Sequence, residues 1–347
     1  MPPLISRRVG EVARPDLFRR ECGSLPLIPG VEIATRWLVL ALAFVVGFRL
    51  ALYVSHPELV TDFDILYYAA VHFLRGENPY PITHQWSYYP LFYPLPAVVL
   101  AIPFTVLPVE PARAAFDIVV GGAFAYALWQ YRGPYALLAV LSGAYLFAMR
   151  NGQMTPLIVA AGLIPALSFL LVLKPNTGLA VWVWRPRRAA VIGGLVLLAL
   201  SVLVLPSWPL DWWRALQDQN EHLLPPIFRP FGFLLLLALI RWRTPEGRLL
   251  LALAVIPQNV LPHELVPLAL IPSNAVEMGI YIAGSWVTLF FVGQAWGIPD
   301  FTVPGLVAVG WPAMLLAVYL PMLYLVLKRP NHSKFPDRAP APLSSNH

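Results

Sequence analysis

Charge is scarce in this chain. Asp, Glu, Lys and Arg together make up 12% of 347 residues, about half the share usual in soluble domains, while 58% of the residues are hydrophobic. That balance excludes an ordinary water-soluble fold. Cysteine is nearly absent: Cys22 stands alone, which rules out an intrachain disulfide and a thiolate metal site. There is no phosphate-cradling glycine loop, no metalloprotease helix and no serine nucleophile elbow, and no internal repeat long enough to suggest an inverted-repeat transporter. The net charge of +6 comes from basic residues scattered through short connections rather than from a stripe, so nucleic acid is not an expected partner. The N-terminus carries Arg7, Arg8, Arg14, Arg19 and Arg20 but no compact apolar region ahead of a small-residue cleavage site, and reads as a cytoplasmic tail.

What the chain has in abundance is apolar segments near the length that spans a bilayer, about 20 residues. Candidate spans fall near 37–54, 90–107, 112–130, 134–149, 154–173, 189–206, 230–240, 249–262, 264–276, 278–296 and 304–327, with a short return piece at 175–184. The expected fold is all-α, a polytopic membrane bundle of about 9–12 segments, some short or broken. Residues 1–35 form a cytoplasmic tail, 36–329 the membrane domain and 330–347 a disordered cytoplasmic tail. With both termini inside, most of the 24 Lys and Arg residues face the cytoplasm, as the positive-inside bias demands, and loop 55–89 faces outward. Proline, at 37 residues, is about twice its usual frequency. It interrupts apolar runs at Pro94, Pro96, Pro103, Pro156, Pro165, Pro257, Pro262 and Pro267. Broken helices persist at membrane depth only where protein or a wet cavity covers them, so the bundle is expected to enclose a cavity.

Against this background a few polar residues stand out. The first outward loop gathers Glu58, Asp62, Asp64 and Glu77 around the single basic Arg75. A short helix over 63–73, lying along the surface, puts Asp62 at its N-cap, a favoured position for Asp. One reading is a cap in a solvated loop. The other is a general base, because a carboxylate beside an apolar bundle has its pKa raised by desolvation. Asp-x-Asp also suggests a divalent-metal clip, but residues i and i+2 of a helix diverge, and no cofactor is expected.

His263 and Glu264 form a second polar point at the outer end of a span; they either end a helix or bind a phosphate or hydroxyl. Lys174, one of three lysines, closes a long apolar run and is either snorkelling or paired with an anion. Arg49, Arg150 and Arg229 pose the same choice. The aromatic groups Trp86, Tyr88, Tyr89, Phe92, Tyr93 and Trp208, Trp212, Trp213 read as an interfacial belt.

Asp62-Phe63, Tyr67-Tyr68, Ala69-Ala70, Leu74, Gly76 and Asn78-Pro79-Tyr80 together resemble the opening signature of glycosyltransferase family 87, which contains polyprenol-phosphate-mannose-dependent mannosyltransferases. The likeness continues through Tyr88-Tyr89-Pro90-Leu91-Phe92, Asn151-Gly152-Gln153, Lys174-Pro175 and the 257–265 stretch. It implies a C-type glycosyltransferase fold in the cell membrane. Such a protein moves a sugar, mannose by family habit, from a polyprenyl-phosphate donor to a lipid or glycan acceptor at the non-cytoplasmic face. By the same resemblance Asp62 is the catalytic base, and Asp64, Tyr67, Tyr80, Gln153, Lys174, Arg229, His263 and Glu264 bind substrate. The competing readings are a transporter or flippase and an inactive membrane scaffold. An enzyme should gather Asp62, His263 and Lys174 at one outward cavity; a transporter should hold ionisable groups near mid-membrane with access to both faces.

Overall fold

A computed structural model describes residues 29–55, 61–81, 90–217, 223–296 and 303–329. The described residues are helical, with a single isolated β-bridge between Leu224 and Gln258. Most of the two tails, together with Glu58, Trp86, Tyr88 and Tyr89, lies outside them. Four helices are long and apolar enough to cross a membrane: Thr35–Ser55, Val109–Arg132, Ala275–Gln294 and Val307–Lys328. Arg188–Val204 and Trp208–Gln217, bent by 101°, make a fifth if taken together. Large apolar side chains crowd the exterior, among them Leu203, Phe228 and Val276, while Arg49, Asp117, Lys174, Glu246 and Glu264 are buried. An apolar outside around a core that holds charges is the arrangement a lipid solvent favours.

Proline sets the breaks. Thr155–Leu163 and Pro165–Leu173 are separate helices, because Pro165 lacks the N–H that would continue the first ladder and its ring crowds the preceding turn. The run 154–173, expected to be one span, is thus a tight hairpin that returns Lys174 to within 2.8 Å of Thr155 Oγ1. The same residue type starts Leu95–Ala101, Pro175–Trp184, Pro245–Val255 and Pro262–Leu270, where a missing N–H costs no helical bond.

Contacts sort the turns into two ends. At one end, Tyr67 Oη donates to Leu107 O at 2.8 Å, Arg113 pairs with Asp64, and Asp62 N–H donates to Asn151 O at 3.0 Å. At the other, arginines cap the carbonyls that helix C-termini leave free. Arg132 donates to Leu270 O and Pro272 O, Arg248 to Val183 O and Trp184 O, Arg187 to Leu163 O and Arg241 to Leu327 O.

A second run also departs from the expected path. The run 90–107 does not carry the chain to the opposite end. It forms Leu95–Ala101 and the tighter Ile102–Val106, then brings Leu107 and Arg113 back beside the loop helix.

Candidate functional site

The loop helix spans Asp62–Leu74, and its N-cap is Thr61 rather than Asp62. Asp62 opens the first turn, while Asp64 accepts a hydrogen bond from the Thr61 N–H. The helix does not lie on the surface as a solvated loop would. Phe63 is fully buried, stacked on Phe116 at 4.4 Å and edge-on to Phe104 at 5.7 Å. That aromatic wedge pins the helix into the bundle.

Asp62 is held from behind by Asn151-Gly152-Gln153. The Asn151 carbonyl takes the Asp62 N–H, and the Gln153 side-chain amide donates to Asp62 Oδ2. Gly152 sits between them with φ +60°, and a Cβ there would lie 2.8 Å from Thr61 Oγ1 and 2.9 Å from Phe63 Cβ. Glycine is required on both counts: the left-handed conformation and the close approach.

From Gln153 the network runs inward. Gln153 Oε1 accepts from Lys174 Nζ and from Tyr93 Oη, each at 3.3 Å. Lys174 Nζ also reaches Glu264 Oε1 at 3.2 Å. The same Glu264 oxygen lies 3.3 Å from His263 Nε2, and Thr177 Oγ1 donates to Glu264 Oε2 at 3.4 Å. The His263 ring stacks on Phe147 at 6.0 Å, and its Nδ1 is buried without a hydrogen-bond partner. Lys174 is 8% exposed, Gln153 3%, and His263 and Glu264 2% each. Asp62 alone of this group is only half-buried, and so is its most accessible member.

Four helices begin at this point: Asp62–Leu74, Thr155–Leu163, Pro175–Trp184 and Pro262–Leu270. Their free N–H groups and aligned peptide dipoles favour negative charge. Burial nonetheless pushes the Asp62 carboxyl above the ordinary carboxylate value, opposed by His263, Lys174 and the Gln153 hydrogen bond. A carboxylate with a raised pKa, hydrogen-bonded on one oxygen, is equipped to take a proton.

The other expected site residues are placed differently. Asp64 turns away from Asp62: its Oδ1 accepts from Arg113 Nε at 3.0 Å and Nη2 at 2.8 Å, and its Oδ2 from Thr61. Both oxygens are committed to holding the helix, so the two aspartates do not converge as a metal clip. Among the described residues, no three His, Cys, Asp or Glu side chains gather. Tyr67 and Tyr80 are buried and spend their hydroxyls on the Leu107 and Tyr93 carbonyls. Both hydroxyls thus tie neighbouring turns together beside the loop helix. Arg229 is also buried, donating to Gln258 O at 3.2 Å and lying over the Trp311 ring at 5.9 Å, in a neighbouring cluster with Tyr319, whose hydroxyl donates to Gln258 Oε1. Arg150 is exposed. For Arg49, left open between an interfacial anchor and an anion's partner, the structure shows pairing: it is buried with Asp117, Nε to Oδ2 at 2.9 Å.

Sequence reasoning missed Thr155 and Thr177, the hydroxyls that flank Lys174 and Glu264, and left Tyr93 to the aromatic belt. For the two threonines the available signal was a hydroxyl in the first turn of a helix that carries proline at its start.

A cavity of about 400 Å³, lined almost wholly by apolar side chains including Leu171, Val172, Pro175, Leu198, Trp208 and Trp212, adjoins the network at Pro175; Asp62, Gln153, Lys174, His263 and Glu264 are not among its lining residues. Trp208–Gln217 contributes Trp208 and Trp212 to its wall and is tied down by Trp212 Nε1 to Phe92 O at 2.9 Å and by Asn78 Nδ2 to Asp211 Oδ2 at 2.8 Å. No family model, curated protein or solved structure matches this chain.

Proposed function

We propose that the chain is an inverting membrane glycosyltransferase of the C-type fold, with Asp62 as its general base. It moves a sugar, mannose by the resemblance, from a polyprenyl-phosphate donor to a lipid or glycan acceptor at the non-cytoplasmic face of the cell membrane. The bundle has about 9–12 membrane segments, some short or broken, with both termini cytoplasmic and the Asp62 end facing outward. The observation that carries this reading is the continuous network from half-buried Asp62 through Gln153 to Lys174, Glu264 and His263. It joins Asp62, Lys174 and His263, the three residues the enzyme reading names, beside a cavity that none of them lines.

In the proposed reaction, the acceptor hydroxyl gives its proton to the Asp62 carboxylate as its oxygen bonds to the anomeric carbon from the face opposite the phosphate. The bond from that carbon to the phosphate oxygen breaks, and polyprenyl phosphate leaves with the electron pair. A β-linked donor gives an α-linked product. Lys174, His263 and the helix N-termini stabilise the charge that develops on the leaving phosphate, and the apolar cavity at Pro175 suits an isoprenoid chain.

The test is transfer by the purified chain in a bilayer from radiolabelled polyprenyl-phosphate mannose to a panel of lipid and glycan acceptors, beside Asp62→Asn. Transfer by the wild type with a loss of at least about a hundredfold in the variant supports the reading. Undiminished transfer in the variant removes Asp62 as base, and no transfer from any lipid-linked sugar points to a transporter or scaffold.

A further inference from the structure

Glu264 occupies an odd place for a carboxylate in a phosphate-handling site. Its Oε1 bridges Lys174 Nζ and His263 Nε2, at 3.2 and 3.3 Å, and its Oε2 takes the Thr177 hydroxyl. An ammonium, an imidazole and a hydroxyl converging on one anion is a donor set that equally suits phosphate oxygens. Two of the helices that start here supply its frame: Glu264 lies in the first turn of Pro262–Leu270, and Lys174 precedes Pro175–Trp184. His263 meets the anion through Nε2 alone; its Nδ1, on the far edge of the ring, is buried without a hydrogen-bond partner and lies outside this donor set.

We propose that Glu264 is a stand-in anion: its carboxylate fills the position of the substrate phosphate when the site is empty, and a lipid-linked phosphate binds by displacing it. This rests on the phosphate-donor reading and adds a regulatory element to it. A buried Lys174 with no counter-ion would be costly, and Glu264 removes that cost between turnovers. It also weakens donor binding, because displacement leaves a carboxylate beside a phosphate. Spent polyprenyl phosphate is thereby expelled rather than retained.

The experiment measures binding of a short-chain isoprenyl monophosphate, and of inorganic phosphate, to the full chain in lipid nanodiscs by calorimetry. Glu264→Gln keeps the shape and one acceptor oxygen, exchanges the other for an amide donor and removes the charge. It is expected to bind both probes about tenfold more tightly than the wild type, and Lys174→Gln added to it should erase the gain. Unchanged or weaker binding overturns the proposal, since a carboxylate that merely orients Lys174 would be missed. Glu264→Ala gives an independent check: acetate should compete with isoprenyl phosphate in that variant and not in the wild type, and absence of competition also overturns it. The two ideas fail separately. Sugar transfer by the wild type with no gain in affinity in Glu264→Gln sinks the stand-in alone, and gained affinity with no transfer from any lipid-linked sugar sinks only the transferase reading.

Discussion

Gly152 makes the position of Asp62 depend on a backbone that only glycine adopts cheaply. A methyl group at residue 152 meets Thr61 and Phe63, the two residues on either side of Asp62, and the positive φ is itself unfavourable for alanine. Gly152→Ala is therefore expected to destabilise the protein by about 1–3 kcal/mol and to reduce transfer beyond what that loss explains. Thermal unfolding read beside kcat will separate the two. Gln153 governs the same carboxylate electrostatically. Its amide donates to the charged form of Asp62 and so pulls the carboxyl down against the upward push of burial. A base must be deprotonated, so activity should rise with pH through the Asp62 titration. Gln153→Leu removes a contact that favours the charged form, so the acid limb of the kcat/KM profile should move to higher pH. A limb that stays in place or moves to lower pH would show that this limb belongs to a different group. Asp62, Lys174, His263 and Glu264 stood out in the sequence because polar groups are rare in so apolar a chain, and Gln153 through the family resemblance. The network that joins them was not legible, because Lys174 and Thr177 meet Glu264 from a segment about 90 residues away.

At the scale of elements, the loop helix is anchored by charge as well as by Phe63. Asp64 pairs with Arg113; one turn further along the same long helix, Asp117 pairs with Arg49 of the first helix. The four charges sum to zero and are all buried. Removing one partner strands the other, so Arg113→Met is expected to cost about 3–5 kcal/mol. Adding Asp64→Asn to it should recover part of that loss, because the amide keeps an acceptor for Thr61 while shedding the orphaned charge. Denaturant unfolding of both variants measures the difference, and a double variant no more stable than the single one would deny the pairing. The helix itself was readable almost to the residue, 63–73 expected against Asp62–Leu74, but its burial was not. Alternating aromatic and small residues are compatible with a surface helix until Phe104 and Phe116 close over Phe63. The hairpin 155–173 escaped sequence reading for a related reason: hydropathy measures the length of an apolar run, and Pro165 divides a run that is long enough to span.

The whole molecule has a polar end built from helix N-termini around Asp62 and an opposite end closed by arginines on carbonyls. That two-ended pattern decides where the connection after the second apolar run lies. Counting spans from hydropathy sends 108–111 to the cytoplasmic side, because 90–107 is long enough to cross. The structure returns it instead, since Pro94, Pro96 and Pro103 break the run and Tyr67 holds Leu107 beside the loop helix. Val106 is 82% exposed at this turn and makes a clean reporter. With Cys22 replaced by serine, single cysteines at Val106 and Glu77 should react with a membrane-impermeant thiol reagent from the same, outward side. Cysteines at Arg188 and Arg243, near the arginine-capped end, should react only after the membrane is opened. Labelling of Val106→Cys together with the Arg188 and Arg243 positions would mean that 90–107 crosses after all, that Arg113 cannot reach Asp64, and that the loop helix has lost the anchor on which the Asp62 geometry depends.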